Sequence, residues 1–148
     1  MLIKQLSVFI ENREGRLEKV TGTIDENNIN IISASLADSS EYGVFRMIVS
    51  EPERAKAVLK EAGFSAKLTD VIAVRLVHKV GMLHRLFKVL AEAGISVEYM
   101  YALSTSENGS MILKVSESGK ALEVLNNNNF SMLKAEEAYN LIKYTYCS

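Results

Sequence analysis

The chain has 148 residues, 17 Lys+Arg against 18 Asp+Glu, a net charge of -1, 48% hydrophobic and 24% charged residues. That balance describes a folded globular chain and excludes disorder, collagen-like repeats and a global basic field for nucleic acid or acidic lipid. The single cysteine, Cys147, makes no internal disulfide or zinc cluster, and the N-terminus holds no apolar stretch long enough for a secretion signal or membrane span, so the expected location is the cytoplasm.

The first element is a strand. From Ile3 to Glu11 the chain alternates, with Leu6, Val8 and Ile10 on one side and Gln5 and Ser7 on the other. Arg13-Glu14-Gly15 breaks it. Leu17, Val20 and Ile24 then recur at helical spacing. Asn27-Asn28 ends that helix, because asparagine tolerates the left-handed backbone that closes helices. Asn30 to Ala37 is a second strand, apolar on both faces: Ile31 against Ile32, Ala34 and Leu36. A turn over 38–43 leads to a third strand, Tyr42 to Ser50. Glu51-Pro52-Glu53 suits a helix start, with proline in the first turn and acids at the positive end. Ala55, Val58 and Leu59 form its apolar stripe, Gly63 ends it, and a short fourth strand begins at Ser65.

The same series then runs again. Sliding the sequence by 66 residues places Gly15-Arg16-Leu17 on Gly81-Met82-Leu83, Gly43 on Gly109, Val49-Ser50-Glu51 on Val115-Ser116-Glu117 and Phe64-Ser65 on Phe130-Ser131, without a gap. Gly94 takes the slot of Asn28, and Asn129 that of Gly63, so each left-handed cap is kept with its residue type exchanged. The reading is an α+β chain of two units, 1–69 and 70–148, each strand–helix–strand–strand–helix–strand. Right-handed crossovers make each a ferredoxin-like sandwich, an antiparallel sheet with both helices on one face. The joint at 67–71 looks like strand running into strand, which predicts sheets packed edge to edge. Residues 135–142 read as a short final helix. Apolar residues on the open sheet faces, Phe9 and Ile32 among them, predict a homodimer that covers them.

Little in the chain carries covalent chemistry. His78 and His84 lack metal-binding spacing, and no Ser or Cys sits in a nucleophile setting. Tyr99 and Tyr101 are strand aromatics without the Lys/Arg-Gly-Phe pattern of base-stacking RNA binders. No catalytic residue, metal site or cofactor is expected. The turns after the first strand of each unit remain, Asn12-Arg13-Glu14-Gly15-Arg16-Leu17 and His78-Lys79-Val80-Gly81-Met82-Leu83. Each glycine permits close approach to the backbone, and each helix start offers unpaired N–H groups to a small anion. The alternative is a glycine that serves the turn alone, copied by duplication.

These turns, with Asn28-Ile29-Asn30-Ile31 and Gly94-Ile95-Ser96-Val97, resemble the ACT domain pattern: an Asp/Asn-x-Pro-Gly-x-Leu turn, a helix, then a Gly-(Val/Ile)-Asn-Ile strand. The resemblance covers both halves. It implies a regulatory protein that binds an amino acid or similar small carboxylate and acts in trans on a metabolic enzyme, or serves as a sensor. It implicates Asn12, Gly15, Leu17, Asn30 and Ile31, with His78, Gly81, Leu83, Ser96 and Val97. Arg13, Arg16, Lys79 and Met82 flank these positions. Glu14 and Val80 stand where the family has proline. The second turn is favoured, because Lys79 adds positive charge where Glu14 adds negative. A regulatory subunit of an amino-acid biosynthetic enzyme such as acetolactate synthase is one alternative. A small enzyme on a ferredoxin-like scaffold is another.

Overall fold

The structure, a computed structural model, describes residues 2–38, 41–77, 79–103 and 109–139. The chain divides into two compact units, Lys4–Thr69 in one, and residues up to Ile3 with those from Asp70 onward in the other.

In the Lys4–Thr69 unit the order is β1 (Ile3–Glu11), α1 (Arg16–Glu26), β2 (Ile31–Asp38), β3 (Tyr42–Val49), α2 (Pro52–Glu61) and the start of β4 (Ser65–Leu76). The strands lie in the order β2-β3-β1-β4, with β3 antiparallel to both β2 and β1. Leu6, Val8 and Ile10 point to the helix side. They form one core with Val20 and Ile24 of α1, Ala55 and Leu59 of α2, and Phe45, Met47 and Val49 of β3. Burying each of the larger of these side chains, all but Ala55, stabilises the unit by about 1.5–3 kcal/mol before entropy is counted.

The Asp70 unit repeats the plan. The rest of β4 is its first strand, followed by α3 (Met82–Glu92), β5 (Val97–Leu103), β6 (Gly109–Val115) and α4 (Ser118–Asn127). Antiparallel ladders join β4 to β6 and β6 to β5. Ile72, Val74, Leu86, Leu90, Leu113, Val115, Ala121 and Leu125 form its core. The fourth strand of this unit is reduced to one bridge, Met132 antiparallel to Val74. The first unit's fourth strand is the short start of β4, residues 65–69, and the 12 residues of β4 run on into the second unit's first strand. A short helix α5 (Ala135–Tyr139) follows, and Asn140 to Ile142 of the expected helix fall outside the described residues. Glu137 of α5 pairs with Arg75. Arg75 points away from the helix-side core of Val74, so α5 lies on the open face of this unit's sheet. Val71, Ala73, Ile112, Leu133 and Ala138 are buried residues of this unit outside the helix-side core.

The second strand corrects one expectation. Ile31 pairs with Val49, but Ser33 pairs with Ile48, and the register shifts at Ile32. A bulge holds one extra residue and restarts the alternation. Ile31, Ala34 and Leu36 therefore share the helix side, where simple alternation had split them. The apolar run on both faces is a bulge signature, and Ile32 is its half-buried extra residue. β5 shifts at the equivalent place, between Val97 and Tyr99, which brings Val97 and Met100 to one core. Phe9 does stand on the open face, 45% exposed, with Lys67 Nζ 5.9 Å from its ring centroid.

Among the described residues the four long helices end alike. Asn28, Gly63, Gly94 and Asn129 have φ of 57°, 92°, 74° and 65°. At each, the next N–H reaches back five residues: Ile29 to Ile24 O at 3.2 Å, Phe64 to Leu59 O at 2.9 Å, Ile95 to Leu90 O at 2.9 Å and Phe130 to Leu125 O at 3.0 Å. These are Schellman closures, each with its apolar contact across the last turn. The expected exchange of asparagine for glycine is therefore what the backbone uses. An added Cβ at Gly63 meets nothing within 4 Å, so only φ resists substitution there. Gly63→Val is expected to cost about 1–2 kcal/mol in urea unfolding. Gly63→Asn, which copies the second unit, should cost less than half of that, and equal losses would remove the conformational explanation.

Candidate ligand site

Each first strand ends in a tight turn that launches a helix. Gly15 has φ 81° and ψ -7°, and Gly81 has φ 89° and ψ -6°. Arg16 N–H donates to Arg13 O at 3.4 Å, and Met82 N–H to Lys79 O at 3.2 Å. Glu14 and Val80 are absent from the non-glycine residues with positive φ. These values define type II turns, which need φ > 0 at the third residue and favour proline at the second, the positions of Glu14 and Val80. Glycine is thus required by the turn. It also leaves space, because a Cβ built on Gly15 or Gly81 meets nothing within 4 Å. No side chain caps the N-terminus of α1 or α3. The first free N–H groups and the positive end of each helix dipole face outward at these turns.

A cleft opens at each turn. The first, about 200 Å³, is lined by Ile10, Glu11, Asn12, Arg13, Glu14, Gly15, Leu17, Leu36, Asp38 and Gly43. The second, about 460 Å³, is lined by Leu76, Val77, Lys79, Val80, Met82, Leu83, Gly109 and Met111. Ile10 and Leu76, Leu17 and Leu83, and Gly43 and Gly109 are repeat equivalents, so the two clefts occupy one structural slot. Exposed apolar side chains gather there. Of the seven large ones recorded among the described residues, Leu17, Leu36, Val77, Val80 and Leu83 line the clefts. Solvent-facing apolar residues collected at concave places mark contact sites more often than scattered ones do.

The expected residues separate as follows. Asn12, Arg13, Gly15 and Leu17 share the first cleft. Asn12 Nδ2 donates to Asp38 Oδ1 at 3.1 Å and its N–H to Glu41 O at 3.0 Å, which ties the turn to the β2–β3 hairpin. Arg13 Nε pairs with Glu11 Oε2 at 3.0 Å. Arg16 leaves the cleft, and its guanidinium lies 4.9 Å from the ring centroid of Phe64. Lys79, Met82 and Leu83 line the second cleft, around the Gly81 turn. His78 lies outside the described residues.

Asn30 and Ile31 are not at the turn of their own unit. They line a different cleft with Glu18, Thr21 and Asp25, toward the other end of α1. Eleven residues of helix span about 16 Å, too far for one small ligand to bridge both ends. Asn30 N–H donates to Ser50 Oγ at 3.0 Å, and Ser96 N–H likewise to Ser116 Oγ at 3.0 Å. Ser96 and Val97 thus hold the equivalent place in the second unit, at the C-terminal end of α3.

Ile10, Glu11, Leu36, Asp38 and Gly43 of the first cleft, and Leu76, Val77, Gly109 and Met111 of the second, were missed as lining residues. The match of Gly43 to Gly109 was the available signal. A Cβ on Gly43 would stand 3.2 Å from Leu36 Cδ1, so that glycine lets β2 close over the cleft. Among the described residues no group of three or more His, Cys, Asp or Glu could hold a metal ion, and no helix is long and apolar enough to cross a membrane.

Two βαββαβ units with one cleft at the same turn of each define a duplicated ferredoxin-like protein. The ACT domain pair family matches residues 1–142, and the chain belongs to that family. Protein BT0572 from Bacteroides thetaiotaomicron has a similar structure, with 33% identity, TM-score 0.90 and coverage of 95% of this chain and 98% of that one. The regulatory subunit of aspartate kinase from Thermus thermophilus, solved ligand free, shares the fold at 19% identity and TM-score 0.62, over 86% of this chain and 94% of its own. The corresponding Thermus flavus subunit does so at 19% identity and TM-score 0.59, over 86% and 93%. No curated protein matches the chain.

Proposed function

We propose that this protein is a regulatory module that binds an amino acid or similar small carboxylate at the glycine turns and acts in trans on a metabolic enzyme. The recurrence of one cleft at an uncapped helix N-terminus in both units carries the reading. The ligand's carboxylate takes those N–H groups of the Gly81–Leu83 or Gly15–Leu17 turn that are not already given to the Lys79 and Arg13 carbonyls, where backbone donors and helix dipole act together. Lys79 adds a cation at the second turn. Its N–H also donates to Val77 O at 2.8 Å, which fixes the approach to the turn. Asn30 and Ile31, and Ser96 and Val97, contact the ligand only where a neighbouring unit presents them. The likeness to the regulatory subunit of an aspartate kinase, over 86% of this chain and 94% of that one, supports a regulatory reading.

Thermal unfolding with each of the twenty amino acids at millimolar concentration tests this. A specific ligand at a hundred times its Kd stabilises the folded state by about 2.7 kcal/mol. A rise in Tm with one amino acid or a chemically related few is expected, and no rise with any overturns the reading. We also propose a homodimer, supported by Phe9 on the open sheet face. Light scattering should report about twice the 16.4 kDa chain mass, and a monomer at micromolar concentration would remove it.

A further inference from the structure

We propose that the two clefts differ in specificity, and that the second takes an amino acid with an apolar side chain while the first does not bind that ligand. The inference rests on the reading of these turns as carboxylate sites.

The duplication supplies the comparison. At two equivalent positions the first cleft carries carboxylates, Glu11 and Glu14, where the second carries Val77 and Val80. Asp38 adds a third acid to the first cleft, and Arg13 is spent on Glu11. A carboxylate ligand there meets like charge. Among the described residues the second cleft holds one charged residue, Lys79, and its other described walls are apolar or glycine. Lys79 and the uncapped α3 N-terminus match a carboxylate, while Val80, Leu83 and Met111 match a hydrocarbon side chain beside it.

Exposure and size agree. Val77 is 60% exposed, Val80 101% and Leu83 43%. A turn tip open to water is an unfavourable place for a valine, and the same turn in the first unit carries a glutamate. The second cleft, at about 460 Å³, lies in the range of small-molecule sites, and the first, at about 200 Å³, lies below it. Met82 and Met111 bring flexible thioether side chains, which adapt to apolar groups of differing shape.

Calorimetric titration with L-leucine, L-methionine, L-aspartate and L-lysine tests the inference, on the wild-type chain and on Val77→Glu/Val80→Glu. Both valines are exposed, so the double variant should keep its far-UV spectrum. Leucine or methionine is expected to bind at one site per chain, at least tenfold tighter than aspartate or lysine. The double variant should weaken that binding at least tenfold. Tighter binding of aspartate or lysine, two equal sites per chain, or an unaffected double variant would each overturn the inference. It also falls if the double variant loses its dimer in light scattering while neither apolar amino acid binds the wild type, since the patch then belongs to a second copy. Should a polar amino acid be the ligand found in the thermal screen, the carboxylate-site reading stands and only this specificity is wrong. Should none of the twenty stabilise the protein, both are wrong.

Discussion

Phe130→Ala is expected to lower the stability of the Asp70 unit by about 3–5 kcal/mol, the usual range for emptying a buried aromatic site. Phe130 is 4% exposed and belongs to the core with Leu125 and Met132. Its N–H closes α4 on Leu125 O, so the residue both ends the helix and fills the space beneath it. Arg85 covers the ring, with its guanidinium carbon 4.9 Å from the centroid, while Arg85 Nη2 donates to Asn128 O at 2.7 Å. The cation–ring part is worth about 0.5–1 kcal/mol at such a site. A double-mutant cycle of Arg85→Ala with Phe130→Ala isolates it. Urea unfolding measures the total, and a loss below about 1 kcal/mol would mean that the ring adds little packing. Phe64 holds the same slot in the first unit, under Arg16 instead. The two cover arginines come from different helical positions, the first residue of α1 and the fourth of α3.

Gly81→Val is expected to weaken amino-acid binding at least tenfold while the far-UV spectrum stays native. A β-branched side chain at φ 89° carries local strain of about 1–3 kcal/mol. Its Cβ would meet no atom within 4 Å beyond the adjoining residues, so its steric effect falls mainly on whatever approaches the turn from outside. Calorimetry on this variant and on Gly15→Val separates the two turns. If both bind as wild type does, the carboxylate sits elsewhere.

The sequence made the helices, their caps and the duplication legible, because each is a local property. Asn28 and Gly94, or Gly63 and Asn129, exchange freely only where the backbone is left-handed, and that exchange is visible in a chain compared with itself. The bulges at Ile32 and Glu98 were not legible as bulges. Alternation assigns faces only while register is constant, and register belongs to the strand pair. The clefts were half legible. The glycine turns announced themselves, but Leu36, Asp38 and Gly109 reach them through strand pairing from far along the chain. Arg16 shows the converse. It neighbours Gly15 in sequence, yet it lies over Phe64, just beyond the C-terminal end of α2, and not at the turn.

Amide chemical shifts, recorded by NMR during titration with whichever amino acid raises Tm most, test the carboxylate site most directly. The N–H resonances of Gly81, Met82 and Leu83 are expected to move furthest, with a smaller or no response at Gly15 to Leu17. Resonances that stay fixed at both turns while the ligand saturates the protein would contradict it.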